Sequence, residues 1–125
     1  MSYESIQTQL DARGLVGIDG AIGIELERRG VPMNHDAWSA VASIEQPEVL
    51  EQIHVDYIRA GARIVTANTL SSSRLMLTAA GFGDRVVDVN RAASEVVLKA
   101  RETAGVTGVA VAGSLSHRME GYPDM

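Results

Sequence analysis

The chain has 125 residues, 46% of them hydrophobic, and a formal net charge of -5. That is enough apolar material for the core of one domain, with only 4% aromatic residues to fill it. The acidic balance offers no Lys/Arg stripe for nucleic acid, and the absence of cysteine excludes disulfides, thiolate metal ligands and a cysteine nucleophile.

The opening "MSYESIQTQLDARG" is polar and lacks the basic-then-apolar order of a signal peptide. No apolar run reaches the roughly 20 residues of a membrane span. These features predict a soluble, cytoplasmic protein with no membrane or nucleic-acid partner. A short helix is expected over Ser5–Ala12, as an N-terminal lid.

The run "LVGID", Leu15–Asp19, is strand-sized and rich in aliphatic residues. A charged helical pattern follows it. Glu25, Glu27, Arg28 and Arg29 read as a solvated helix face with local ion pairs. The stretch "GVPMNHDAWSAVASIEQ" that comes next is the longest irregular segment. Long loops in small domains are more often functional than idle.

"QPEVLEQIHVDYIRAG" places Val49, Leu50, Ile53, Tyr57 and Ala60 on one helical stripe. Pro47 suits its first turn and Gly61 the residue past its end. His54 lies inside this helix, where a partly buried or surface role is expected rather than metal ligation. A second strand is predicted at Arg63–Ala67 and a short helix at Ser72–Ala80. A longer helix follows, with Asp84 as its N-cap. Its buried stripe is Val86, Val89, Ala93, Val96, Val97 and Ala100, and it closes at Gly105. The third strand is predicted at Gly108–Gly113.

The order β, α, β, α, β predicts an α/β fold with right-handed crossovers and strands buried on both faces. Ligands of such folds bind at the carboxyl ends of the strands. The three predicted strands run into Asp19-Gly20, into Thr66, Asn68 and Thr69, and into Ser114, Ser116 and His117. Three polar clusters on one rim point to a small-molecule site, although Thr, Asn and Ser also cap turns. Asp19 is open to two readings. Its carboxylate either accepts from nearby backbone N–H groups or binds a ligand ammonium group. Gly20 and Gly23 would let backbone approach such a ligand. Trp38, the single tryptophan, either packs over a ligand or anchors its loop to the core.

Several of these stretches resemble one family. "DGAIGIELERRG", "PEVLEQIHVDYIRAGARIVTANTL", "GDRVVDVNRAASEVVLKARE" and "VAVAGSLSH" together resemble, in order and spacing, the homocysteine S-methyltransferases. The resemblance implies a (β/α)8 barrel, of which residues 1–125 make about three βα units. It implies methyl transfer from a small donor to the sulfur of homocysteine, giving methionine. It also implies a zinc ion held by cysteines in the family's C-terminal half, none of which is in this sequence. The expectation is thus an N-terminal segment, incomplete for catalysis alone. Its substrate-binding residues are Asp19, Gly20, Thr66, Asn68 and Ser114, with Ile24, Trp38 and His117 as further candidates. Ile24 stands where the family usually has Thr, and "GSLSHRMEG" departs from the commoner third loop. Two other readings stay open: a half-barrel module that self-associates through open sheet edges, and a small flavodoxin-like binding domain.

Overall fold

The computed structural model describes residues 2–116. In chain order, α1 (Ser2–Asp11), α2 (Ile22–Arg28), α3 (Ala42–Glu45) and α4 (Pro47–Arg59) precede strand β1 (Ile64–Thr66). Then come α5 (Arg74–Ala79), a 3-10 turn (Gly83–Arg85), α6 (Val86–Ala104) and strand β2 (Ala110–Ala112). The two strands pair in parallel, Ile64 opposite Ala110 and Thr66 opposite Ala112. The fold is mixed α/β, as expected.

The expected first strand is the main correction. Leu15–Asp19 forms only a single parallel bridge, Ile18 to Ile64. Arg63 and Ile64 N–H groups donate to the Gly17 carbonyl, and Asp19 N–H donates to the Ile64 carbonyl. The segment runs beside β1 without becoming a regular strand. Glycine in mid-segment adds no side chain to pack and weakens strand structure. Burial on both faces is also not found. Val65 is fully buried, but Ile64, Thr66 and all of β2 are half-buried. Among the described residues, β2 has a neighbour on one side only.

The helices explain themselves. Pro47 opens α4, where its missing N–H costs nothing. At the other end Gly61 has φ 119, and the Ala62 and Gly61 N–H groups donate back to the Tyr57 and Ile58 carbonyls. That closure needs a residue without Cβ. The buried face of α4 is Leu50, Ile53, His54, Val55 and Ile58, while Ala60 is exposed rather than on the stripe. The α6 stripe is as predicted from Val89 to Ala100, with Val86 half-buried. Asp84 is not its cap. It lies in the 3-10 turn, and Arg85 precedes the helix without a side-chain cap. Ser73 instead caps α5, accepting from Met76 N–H.

Leu26, Val31, Ala42, Leu50, Ile53 and Val96 form one core cluster between α2, α4 and α6. Ile58, Val65, Val97 and Val109 belong to a second, between the helices and the strands. Ala37, Ala40 and Val41 join Leu77 and Val89 in a third. The long segment after α2 is therefore anchored in the core and contains α3, which its sequence did not betray. Helix α1 spans Ser2–Asp11 and reaches the start of β2, where a Cβ on Gly108 would lie 3.1 Å from Ser5 Oγ. It lies at the amino end of β2, away from the polar rim. No helix among the described residues is long and apolar enough to cross a membrane.

Candidate functional site

A pocket of about 610 Å³ opens at the carboxyl ends of the strands. The chain leaves β1 at Thr66, and this tip organises one side of it. Thr66 N–H donates to Asp19 Oδ2 at 2.7 Å, and Thr66 Oγ1 donates to Asp19 Oδ1 at 3.1 Å. Both oxygens of the carboxylate are thus aimed by one residue 47 positions away. An anionic acceptor bonded to N–H and O–H donors makes the stronger, charge-assisted kind of hydrogen bond. Each carboxylate oxygen keeps a further lone pair.

The turn after Asp19 is held by Tyr57 on α4, whose hydroxyl donates to the Ala21 carbonyl at 3.1 Å. Burial, then the charges of Glu25 and Asp19, hold the Tyr57 phenol above its ordinary pKa, so it remains a donor. Gly20 is pressed against this ring. A Cβ there would sit 2.8 Å from the Tyr57 hydroxyl and 3.0 Å from a ring carbon. Gly20→Ala is therefore expected to cost about 1–3 kcal/mol through this overlap. Tyr57→Phe in the same background should recover only part of it, since the ring carbons remain; thermal melts of the three proteins test this.

The other walls are apolar. Ile18, Ile24 and Leu70 line the pocket and are 70%, 60% and 50% exposed; Met33 and Trp38 complete that side. Among the described residues, Asp19 and Glu27 are the charged residues of the lining, and no Lys or Arg joins them. Such a site favours a ligand with a cationic group at one end and an apolar body.

The expected site residues fall as follows. Asp19, Gly20, Ile24, Thr66, Trp38, Asn68 and Ser114 all line this one pocket. The Asn68 amide is spent on protein contacts, to Ser39 and Ser43. Ser114 is tied to Thr69, whose hydroxyl accepts from Ser114 N–H at 2.9 Å and donates to Ser114 O at 2.8 Å. His117 lies outside the described residues. Glu27, read from sequence as solvent-facing, lines the pocket, and its place one turn after Ile24 was the available clue. The local ion pairs of α2 do form. Arg28 meets Glu25 at 2.9 Å, and Arg29 reaches Asp56 on α4 at 2.8 Å.

His54 was expected to be partly buried or exposed, and it is 0% exposed. Neither ring nitrogen has a hydrogen-bond partner. Burial lowers its pKa from 6.5 to about 4, with the Asp19 charge opposing.

Parallel strands, crossover helices and a pocket at the strands' carboxyl ends define an α/β protein whose pocket lies where such folds bind small molecules. A family model described as homocysteine S-methyltransferase matches residues 16–124. The chain belongs to the homocysteine S-methyltransferase family. It is similar to a homocysteine S-methyltransferase of Escherichia coli K12, 30% identical over 118 residues, covering 88% of this chain and 37% of that protein. It is 47% identical over 57 residues to homocysteine S-methyltransferase YbgG of Bacillus subtilis, covering 46% of this chain and 18% of YbgG. A selenocysteine Se-methyltransferase of Brassica oleracea var. italica is 31% identical over 102 residues, 81% of this chain and 30% of that protein. The crystal structure of the metallated homocysteine methyltransferase MmuM of Escherichia coli superposes with a TM-score of 0.77 at 30% identity. That match covers 89% of this chain and 41% of MmuM. The chain thus spans less than half the length of these relatives.

The residues here do not fit the zinc centre that the resemblance implies. The sequence has no cysteine, and no group of three or more His, Asp or Glu among the described residues is placed to hold a metal ion.

Proposed function

We propose that this chain serves methyl transfer to the sulfur of homocysteine as the N-terminal part, about three βα units, of a (β/α)8 barrel. The coverage of 41% of MmuM at a TM-score of 0.77 supports this reading. Its share of the work is to hold the amino-acid end of the thiol substrate. Asp19 takes the substrate ammonium, Gly20 offers backbone beside it, and Thr66, Asn68 and Ser114 shape the rim. Ile24 and Trp38 stand against the apolar part. No step is assigned to a metal, because these residues supply no ligand set for one.

The observation that carries the proposal is the Asp19 carboxylate, fixed by both Thr66 donors in a pocket lined by no Lys or Arg among the described residues. The test is calorimetric titration of L-homocysteine into the 125-residue protein and its Asp19→Asn variant. Asparagine keeps an acceptor for Thr66 N–H but removes the charge. Affinity is expected to fall by roughly tenfold or more, as for loss of a charged hydrogen bond. The analogue lacking the α-amino group should bind both proteins equally weakly. Equal affinity of the unmodified protein for the two ligands would sink the assignment.

A second reading, self-association through the open sheet, rests on a different observation. Leu15, Ile18 and Leu115 are 92%, 70% and 99% exposed beside the strands. Light scattering distinguishes the two, since a monomer at all concentrations contradicts self-association and leaves the ligand site untouched.

A further inference from the structure

Asn68 lies two residues beyond β1 and is only 5% exposed. Its Nδ2 donates to the Ser39 carbonyl at 2.8 Å and to Ser43 Oγ at 3.2 Å. Its Oδ1 accepts from Ser39 Oγ at 3.1 Å. Both N–H donors of the amide are therefore used, and all three bonds go to the segment that carries Trp38.

That segment needs holding. Trp38 has φ 46, a left-handed conformation that a bulky residue seldom adopts. Such a conformation persists only where the surroundings over-determine it. Upstream, the loop closes on itself. Asn34 N–H donates to the Trp38 carbonyl at 3.0 Å, and Asn34 Oδ1 accepts from Asp36 and Ala37 N–H. Downstream, the very next residue is Ser39, bonded twice to Asn68. Trp38 also borders two spaces. It lines the 610 Å³ pocket and, with Met33, Val41 and Phe82, a second cavity of about 190 Å³. Trp38 and Met33 are the residues shared by the two linings, and Trp38 is 57% exposed.

We propose that Asn68 is a positioning residue. It clamps the loop from Asn34 to Ser43 to the tip of β1, holds the Trp38 indole where the two linings meet, and so sets the pocket's width without itself touching the ligand. This deepens the proposed function, and its ligand arm rests on that reading.

Trp38 is the single tryptophan of the chain, so its fluorescence reports the clamp directly. Steady-state anisotropy and acrylamide quenching are measured for the unmodified protein, Asn68→Ala and Ser43→Ala, with circular dichroism melts as the check on folding. Asn68→Ala should lower the anisotropy and raise the quenching constant while the melt stays cooperative. Ser43→Ala, which removes one bond of the three, should shift both the same way by less. If Asn68→Ala does not fold, Ser43→Ala and Ser39→Ala take its place. A folded variant with unchanged Trp38 signals overturns the clamp. In the ligand arm, Asn68→Ala should weaken L-homocysteine binding roughly tenfold, the loss expected for a hydrogen-bonded link of ordinary strength. A freed indole with unchanged affinity overturns the control of pocket width. Absence of L-homocysteine binding by the unmodified protein counts against the proposed function instead, and the fluorescence arm still decides the clamp.

Discussion

Taking the protein from neutral pH to about 4 is expected to destabilise it by on the order of 3 kcal/mol through His54 alone. In the unfolded chain this imidazole titrates at its ordinary 6.5, whereas burial lowers it to about 4 in the fold. Between those values the unfolded chain binds a proton that the folded chain refuses. Stability attributable to His54 therefore falls as pH drops below about 6.5 and levels off once it passes about 4. The charge of Asp19 opposes the effect but does not reverse it. Glu51 and Asp56 also lose their ion-pair contributions as acid protonates them, since Lys99 and Arg29 hold both below the ordinary carboxylate values. A comparison with His54→Leu separates the terms. Leucine fills similar space and removes two buried nitrogens that have no hydrogen-bond partner. Urea denaturation across this range should show a much flatter pH dependence for the variant. Parallel curves for the two proteins would refute the role of His54.

The second large effect is expected from Leu26→Ala, about 2–5 kcal/mol of stability. Leu26 is fully buried, against Val31, Ala42, Leu50, Ile53 and Val96. Helix α2 has only seven residues and no side-chain cap, so it is too short to hold itself. Leu26 is its one buried residue. The opposite side of the same helix carries Ile24 and Glu27 into the pocket. Losing the anchor should therefore loosen a wall of the site as well as lower stability. Ile24→Ala is the control, since that side chain is 60% exposed and its removal should cost within about 0.5 kcal/mol. Chemical denaturation of both variants checks the contrast. A Leu26→Ala cost no larger than that of Ile24→Ala would show that α2 is held by something else.

Much of the architecture could be read from local pattern. Pro47, the Leu50-Ile53 spacing and Gly61 marked α4, and the valines from Val89 to Val97 marked α6. These signals are local, and the structure honours them. What escaped was decided by distant partners. Leu15–Asp19 has the composition of a strand, but a strand also needs neighbours, and it finds one bridge to Ile64. Helix α3 is four residues long and is stabilised by the core beneath it, which no window of sequence displays. His54 was expected to be partly buried or at the surface, and the core packed around α4 buries it fully. For the site, residue types at strand ends were enough to bring Asp19, Thr66, Asn68 and Ser114 to one pocket. They were not enough to show that Asn68 would spend its amide on Ser39 and Ser43. That choice depends on a segment nearly thirty positions earlier, whose path is set by packing.

The seven residues from Thr66 to Ser72 bond to Asp19, to Ser39 and Ser43, to Ser114 and to Asn90, across sequence separations of 47, 29, 25, 45 and 18. None of these links can form while the chain is only locally ordered, and each must await closure of a long loop. The binding geometry is thus a late product of folding. Helices α4 and α6 can each form early through their own local hydrogen bonds, but the pocket should appear only when the parallel strands meet, in one step with the sheet.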